Sequence, residues 1–244
     1  MTDATARDLV VIVGAGPGLG ASIGTAFART GARVVLLARE RERLARLAAD
    51  VASATGGAVD AIPGDAADET ALRSAFAEIR GRHGDPTVLV HNPSVAVVAP
   101  PTQTPYDGLL AGLQLTVGSL LVAAQEVVQP MRQTGRGTIL VTGSGSALTG
   151  STWSAALAVQ KAAVRNLALS FAAELHGDGI HVAIVTINGV LDKPGFERDR
   201  IAAEYVRLHK ATDSQPDTWH PELTWTGRMA RHGHEGTAGS PAGA

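Results

Sequence analysis

Short apolar runs recur along the chain, and several of them are apolar at nearly every position rather than at alternate ones. Strands that are apolar throughout are typical of a parallel sheet with both faces covered. The pattern predicts six such strands, at Leu9–Val13, Arg33–Ala38, Ala58–Ile62, Val88–His91, Thr138–Val141 and His181–Ile187.

The segments between these runs carry apolar residues at helical spacing. Predicted helices cover Leu19–Thr30, Glu40–Ala54, Asp68–Arg82, Tyr106–Gln133 and Leu157–His176, with a further helix over Phe196–Lys210. The alternation of strands and helices predicts an α/β fold, a doubly wound parallel sheet (Rossmann fold) in three α/β/α layers. We expect residues 1–231 to form one domain and the Gly/Ala/Pro-rich residues 232–244 to form a flexible tail.

Composition narrows the possible functions of this fold. The chain has 244 residues and no cysteine, which excludes disulfides, cysteine-ligated metals and thiol nucleophiles. Lys and Arg number 21 against 23 Asp and Glu, so charge gives no reason to expect nucleic acid or an anionic membrane as a partner. The chain shows no signal-peptide pattern, and its uninterrupted apolar runs are far too short to span a membrane. We therefore expect a cytoplasmic protein, without a membrane partner or a metal site.

A glycine-rich segment, GAGPGLG at residues 14–20, follows the first predicted strand and precedes the first predicted helix. Glycines allow a tight turn and let backbone amides approach a phosphate closely. The start of the helix then presents unpaired N–H groups and a partial positive charge to that phosphate. This order of elements predicts a dinucleotide pyrophosphate site; a flexible turn is the alternative.

The chain resembles the short-chain dehydrogenases/reductases (SDRs) through an ordered set of motifs over residues 8–210. Gly14, Gly18 and Gly20 match the spacing of the family's TGxxxGxG loop, with Val13 in the place of the Thr. Segments 64–66 (GDA), 91–94 (HNPS) and 187–189 (ING) resemble those that follow the family's third, fourth and sixth strands. The resemblance implies a set of cofactor-binding residues: Gly14, Gly16, Gly18, Leu19, Gly20, Arg39, Asp65, Ala66, Asn92, Lys161 and Gly189.

The end of the second predicted strand bears on the choice of dinucleotide. An acid about 20 residues beyond the glycines accepts from a ribose 2′-hydroxyl, whereas an Arg accommodates a 2′-phosphate. The acid of NAD-preferring members would fall at Ala38, and Arg39 follows it. We therefore favour NADP(H) over NAD(H), with a solvated surface charge as the alternative role of Arg39.

The resemblance also implies a catalytic Ser, Tyr, Lys and Asn, of which only Ser144 and Lys161 are found. The position four residues before Lys161 is also thirteen residues after Ser144, and both spacings place Leu157 where the Tyr should be. Thr116, or Leu115 with a one-residue slip, occupies the Asn position. Leucine cannot donate a proton, so Ser144 and Lys161 are the candidate catalytic residues of an atypical member.

Four other residues are candidates for the missing proton donor: Tyr205, His209, His91 and Asp192. Tyr205 and His209 share one face of the predicted helix at 196–210, in a segment near 193–226 that the resemblance places over the substrate pocket. A structural role is the alternative for each. Lys161 is itself a candidate acid if burial lowers its pKa.

Two functions follow from this set of residues. One is an NADP(H)-dependent oxidoreductase that reduces a carbonyl or imine of a small molecule, or oxidises the corresponding alcohol or amine. The other is an NADP(H)-binding protein of the same fold without redox turnover, acting as a sensor, a scaffold or a non-redox catalyst. A subunit kept only for assembly is a third possibility. By family analogy we expect a homodimer or homotetramer.

Overall fold

The computed structural model describes residues 7–227, and their sheet has seven parallel strands in the order β3-β2-β1-β4-β5-β6-β7. The strands are Leu9–Val13 (β1), Arg33–Ala38 (β2), Val59–Pro63 (β3), Val88–His91 (β4), Gly137–Ser144 (β5), Ile180–Ile187 (β6) and Glu222–Trp225 (β7). The predicted α/β class is confirmed. The prediction missed β7, which has four residues, two of them polar, and lies at the edge of the sheet.

Seven α-helices flank this sheet among the described residues. They are Leu19–Ala28 (α1), Arg41–Thr55 (α2), Glu69–His83 (α3), Tyr106–Leu113 (α4), Ser119–Thr134 (α5), Ala155–Leu175 (α6) and Arg198–Lys210 (α7). A π-helical segment, Gln114–Gly118, joins α4 to α5 without a break. The predicted tail at 232–244 lies outside the described residues, and the extent of one domain over 1–231 stays a prediction.

Side chains of β1 alternate between two hydrophobic cores. Val11 and Val13 face a core shared with α3, α5 and α6, whereas Val10 and Ile12 face one shared with α1, α2 and α7. Because successive strand residues point to opposite faces, a strand buried on both sides is apolar at every position. This double burial explains the continuous apolar runs in the sequence.

The helix α7 contributes one face to the second core, and the expectation that the segment near 193–226 covers a substrate pocket stays a prediction. The helix packs beside α1, and Ile201, Ala202 and Leu208 join Phe27 in the second core. The remainder of that segment ends in β7, which extends the sheet. Only residues 188–197 separate β6 from α7, and this connection contains no helix.

The continuous helical stretch Tyr106–Thr134 has 29 residues and a mean hydropathy of 1.5 in its most apolar part, so length and composition alone would allow it to cross a membrane. Core helices pass the same test, and this stretch buries Leu120, Ala123 and Val127 against the sheet. The expectation drawn from uninterrupted apolar runs did not count this stretch, because polar residues divide it.

The strand order places a crevice at the centre of the sheet. The chain moves outward from β1 to β3 and then returns to add β4 on the other side of β1. Helices on either side of such a switch point diverge, so ligands of open α/β sheets bind beyond the carboxyl ends of these strands. The fold therefore predicts a site where the loops after β1 and β4 meet.

Candidate active site

A cavity of about 490 Å³ opens at the carboxyl ends of β1, β4, β5 and β6. It brings together residues from sequence segments far apart, and almost all the predicted cofactor-binding residues line it. These are Gly14, Gly16, Gly18, Leu19, Gly20, Arg39, Ala66, Asn92, Lys161 and Gly189. Asp65 is the exception, since it is not among the lining residues and its carboxylate accepts from the Ala67 amide at 2.9 Å.

The glycine loop is open on the side that faces the cavity. A Cβ at Gly16 would meet no atom within 4 Å, whereas one at Gly14 (φ +78°) would lie 2.7 Å from the Pro93 nitrogen. Helix α1 begins at Leu19 with neither a side-chain cap nor an acidic residue in its first turn. Its first N–H groups therefore have no carboxylate to satisfy them, and the helix dipole favours an anion there. The loop fits a pyrophosphate.

A hydrogen-bonded chain ties the glycine loop to β5. The Asn92 Nδ2 donates to the Gly14 carbonyl at 3.0 Å, and the Thr142 hydroxyl donates to Asn92 Oδ1 at 2.9 Å. The Tyr205 hydroxyl lies 2.7 Å from the Thr142 Oγ1. Burial of Tyr205 raises the pKa of its phenol, and the side chain does not line the cavity. Tyr205 thus supports the loop and is not placed to protonate a substrate.

Two of the other candidate donors form hydrogen bonds away from the residues that line the cavity. His209 lies at the opposite end of the sheet, with its ring nitrogens 2.9 Å from Thr138 Oγ1 and 3.1 Å from the Asp8 carboxylate. His91 is buried with its Nε2 2.7 Å from Ser119 Oγ. Burial, with a smaller effect from the Lys161 charge, lowers the pKa of His91 to about 3. His91 is therefore neutral at physiological pH.

Both candidate catalytic residues line the cavity. The Lys161 ammonium donates to the Thr142 carbonyl at 2.9 Å, and burial lowers its pKa to about 8. The Ser144 Oγ accepts from the Ser146 amide at 3.2 Å and lies 3.2 Å from the Ser146 hydroxyl. Thr142 and Ser144 lie two residues apart at the end of β5. The hydrogen bond to Thr142 therefore holds Lys161 close to Ser144.

Two leucines form the wall at the positions where the resemblance implies Tyr and Asn. Leu157 lines the cavity one helical turn before Lys161. At the second position Leu115 faces the cavity, whereas Thr116 is buried and donates to the Gly112 carbonyl at 2.7 Å. The π-helical segment at 114–118 explains the slip, because a π turn adds one residue to the helical count. Leu115, not Thr116, is thus the residue that faces the cavity.

Sequence reasoning missed a cluster of basic residues next to the cavity. Arg39 lines both the main cavity and an adjoining one of about 410 Å³, whose wall includes Arg43 and Arg46 of α2. Arg43 and Arg46 lie three residues apart on the predicted helix at 40–54, and Arg39 comes immediately before that helix; this spacing was the available signal. The remaining candidate donor, Asp192, forms an ion pair with Arg198 and does not line the cavity.

Comparisons with known proteins agree with this architecture. The short chain dehydrogenase family matches residues 8–196. The 2-(S)-hydroxypropyl-CoM dehydrogenase 3 of Xanthobacter autotrophicus is 30% identical over 191 residues, 76% of this chain and 72% of the relative. A short-chain dehydrogenase structure from Rhodopseudomonas palustris is 28% identical, with a TM-score of 0.79 over 90% of this chain and 98% of that one.

A third similar protein was solved with its cofactor. The short-chain dehydrogenase from Sphingobium yanoikuyae in complex with NADPH is 25% identical, with a TM-score of 0.74 over 84% of this chain and 85% of that one. The family match covers well over half of the chain and includes the glycine loop, Ser144 and Lys161. The chain therefore belongs to the short chain dehydrogenase family and has the Rossmann fold of those oxidoreductases.

Proposed function

We propose that this chain is a cytoplasmic NADP(H)-dependent oxidoreductase without the family's catalytic tyrosine. It reduces a carbonyl or imine of a small molecule, or oxidises the corresponding alcohol or amine, with Ser144 and Lys161. The observation that carries the proposal is the single cavity that joins the uncapped glycine loop to both of these residues. The NADPH complex of the Sphingobium relative supports the choice of cofactor.

Different residues of the chain would bind different parts of the cofactor. The loop at Gly16 and Gly18 and the start of α1 would hold the pyrophosphate, Ala66 the adenine side and Lys161 the nicotinamide ribose. Arg39, next to Arg43 and Arg46, offers cations to a 2′-phosphate. When bound, the dinucleotide supplies the hydride, and the protein supplies orientation and proton transfer.

Ser144 and Lys161 take different parts in the proposed reaction. The Ser144 hydroxyl donates a hydrogen bond to the carbonyl oxygen, or to the imine nitrogen, and polarises the bond. Lys161 donates the proton from Nζ, because a pKa of about 8 leaves the group protonated at neutral pH yet able to release its proton. Leu157 and Leu115 exclude water from this part of the wall and favour an uncharged, apolar group on the substrate.

The test has two stages on the full chain. NADPH and NADH are titrated while the cofactor fluorescence is followed, and a pooled panel of ketones, aldehydes, imines and alcohols is then screened by absorbance at the cofactor band. The proposal expects NADPH binding and turnover of at least one compound. Absence of binding to either dinucleotide would overturn it.

The leucine at position 157 favours a second candidate function, an NADP(H)-binding protein without redox turnover that acts as a sensor, a scaffold or a non-redox catalyst. Tyr106, with 75% of its surface exposed, and the buried Tyr205 both lie outside the cavity lining, so neither replaces the missing phenol. Tight NADPH binding without turnover across the whole panel would support this candidate over the first.

Exchange of Arg39 for aspartate is expected to weaken NADPH binding at least tenfold more than NADH binding. The substitution removes a cation at the proposed 2′-phosphate position and adds a repelling carboxylate there. Dissociation constants from fluorescence titration measure the difference. Arg41→Asp is the matched control, since Arg41 carries the same charge two residues on but lies outside the lining of both cavities. Equal losses for the two dinucleotides would contradict the assignment.

We also propose that the chain forms a homodimer or homotetramer through α4, α5 and α6. These helices expose Leu110, Leu121 and Val159, whose exposed fractions are 45%, 42% and 48%, and contact with a second copy would cover them. Light scattering at micromolar concentration should give a mass of two or four chains. A monomeric mass would contradict the proposal.

A further inference from the structure

Arg198, the first residue of α7, reaches the glycine loop from 181 residues further along the chain. Its Nη1 donates to the Pro17 carbonyl at 3.3 Å. Its guanidinium carbon would lie only 3.7 Å from a Cβ built on Gly18. The guanidinium thus lies beside the loop that the proposed function assigns to a pyrophosphate, next to Gly18 and just outside the residues that line the cavity.

Asp192 holds the guanidinium from the other side. Its carboxylate accepts from Arg198 Nη2, and the two side chains form an ion pair. Asp192 has a φ of +66°, the only positive φ of a non-glycine residue in the described part of the chain. Such a conformation is costly for most side chains and persists only where neighbouring contacts impose it.

The connection around Asp192 supplies those contacts. The Asp192 amide donates to the Phe196 carbonyl at 3.1 Å, and the Phe196 amide donates to the Lys193 carbonyl at 2.8 Å. The Phe196 ring packs so closely on Gly189 that a Cβ there would lie 2.1 Å from it. The carboxylate is therefore presented by a constrained turn and not by a free loop.

The hydrogen bonding of Arg198 is incomplete. Its Nε is buried and is one of the few buried side-chain polar atoms without a partner among the described residues. The guanidinium also lies beside the positive end of the α1 dipole, where a second positive charge is unfavourable unless an anion is shared between them. Asp192 supplies one anion to this guanidinium, and the unpartnered Nε together with the uncapped start of α1 favours a further, anionic ligand.

We propose that Arg198 binds the pyrophosphate of the dinucleotide and that Asp192 positions the guanidinium beside the glycine loop before the cofactor binds. A planar guanidinium presents several donors in a fixed geometry, and it matches phosphate oxygens better than a point charge would. The inference rests on the proposed dinucleotide binding, and it adds a ligand from α7 to those supplied by the loop.

Direct binding measurements test this assignment without any turnover. Arg198→Ala is expected to raise the dissociation constants of NADPH and NADH by the same factor, tenfold or more, because both share the pyrophosphate. This equal loss differs from the selective loss expected for Arg39→Asp. Arg198→Gln, which keeps most of the side-chain length, should show the same loss if the alanine variant folds poorly by circular dichroism.

The matched control is Arg200→Ala, which removes an arginine two residues on. Arg200 pairs with Glu197 at 3.2 Å and lies over the Trp225 ring, so its removal should leave both dissociation constants unchanged. Asp192→Asn keeps a residue that tolerates a positive φ but loses the carboxylate that positions the guanidinium, so it should raise both dissociation constants, by less than Arg198→Ala does.

The outcomes separate this inference from the proposed function. If the wild type binds a dinucleotide and both Arg198 variants stay within twofold of it, the role of Arg198 is overturned and the proposed function stands. If Asp192→Asn leaves both dissociation constants within twofold of the wild type, the positioning role of Asp192 is overturned. If the wild type binds neither dinucleotide, both fail.

Discussion

Replacement of Lys161 by methionine is expected to lower the rate of carbonyl reduction by about 10²- to 10⁴-fold, the usual loss on removal of a general acid. Methionine keeps the length and the apolar stem of the side chain but has no proton to donate. Steady-state kinetics with NADPH and a carbonyl from the screen measure the change. Lys210→Met, at the far end of α7, is the control and should retain the wild-type rate.

The same substitution is expected to stabilise the fold. Burial lowers the pKa of Lys161 from an ordinary value of 10.5 to about 8, so the charged ammonium destabilises the folded state at neutral pH. A pKa difference of one corresponds to about 1.4 kcal/mol, and the substitution also removes the hydrogen bond to Thr142. We therefore expect the free energy of unfolding to rise by about 1–3 kcal/mol at pH 7. Urea unfolding gives this value directly.

The pH dependence has a defined sign. Between about 8 and 10.5 the unfolded chain binds more protons at Lys161 than the folded chain does, so the free energy of unfolding rises with pH in this window. Lys161→Met should lack that rise. Reduction by the wild type should slow as pH increases through about 8, because the acid loses its proton. A flat rate across that range would contradict the role of Lys161 as the donor.

Replacement of Leu157 by tyrosine is expected to lower the native activity about tenfold or more and to create no new reductase activity. The ring would project into the cavity beside Leu115 and would occupy space that the substrate needs. Its hydroxyl would lie one turn from Lys161 and would reduce the desolvation that makes Lys161 a suitable acid. With less desolvation the pKa of Lys161 would rise, and Lys161 would become a weaker proton donor.

Assays of wild type and Leu157→Tyr with NADPH and a panel of simple ketones measure this effect. Leu157→Met is the matched control, since it conserves volume and the apolar character and should keep the wild-type rate. A large gain across several ketones would show the reverse: that the site retains the family's geometry, that the phenol is all it lacks, and that Lys161 is not its acid.

Most of the sheet could be predicted because burial leaves a direct mark on the sequence. A strand such as β1 is covered on both faces and is therefore apolar throughout. The edge strand β7 has no such mark, since Glu222 and Thr224 alternate with buried Leu223 and Trp225. The packing of α7 against α1 could not be predicted either, because a helix over a pocket and a helix in a core share the same apolar periodicity.

The residues of the site that lie on local motifs could be found in the same way. The glycine loop, Ser144 and Lys161 are recognisable because their chemistry requires fixed residue types at fixed spacing. The choice of Leu115 over Thr116 depends on a π turn, which helical counting does not anticipate. Arg198 meets Pro17 only through the packing of α7 on α1, and no local pattern predicts a contact of that separation.

The short connection between β6 and α7 has a kinetic consequence. Residues 188–197 form a turn held by Phe196, and the helix predicted at 196–210 is observed as α7. In enzymes with a mobile cover, its opening and the release of product commonly limit the turnover number. Since residues 188–197 contain no helix that could move, the proposed function leads us to expect hydride transfer to limit turnover. Deuterium at the transferred position of the nicotinamide should then slow kcat by the full intrinsic isotope effect, because product release does not limit the rate.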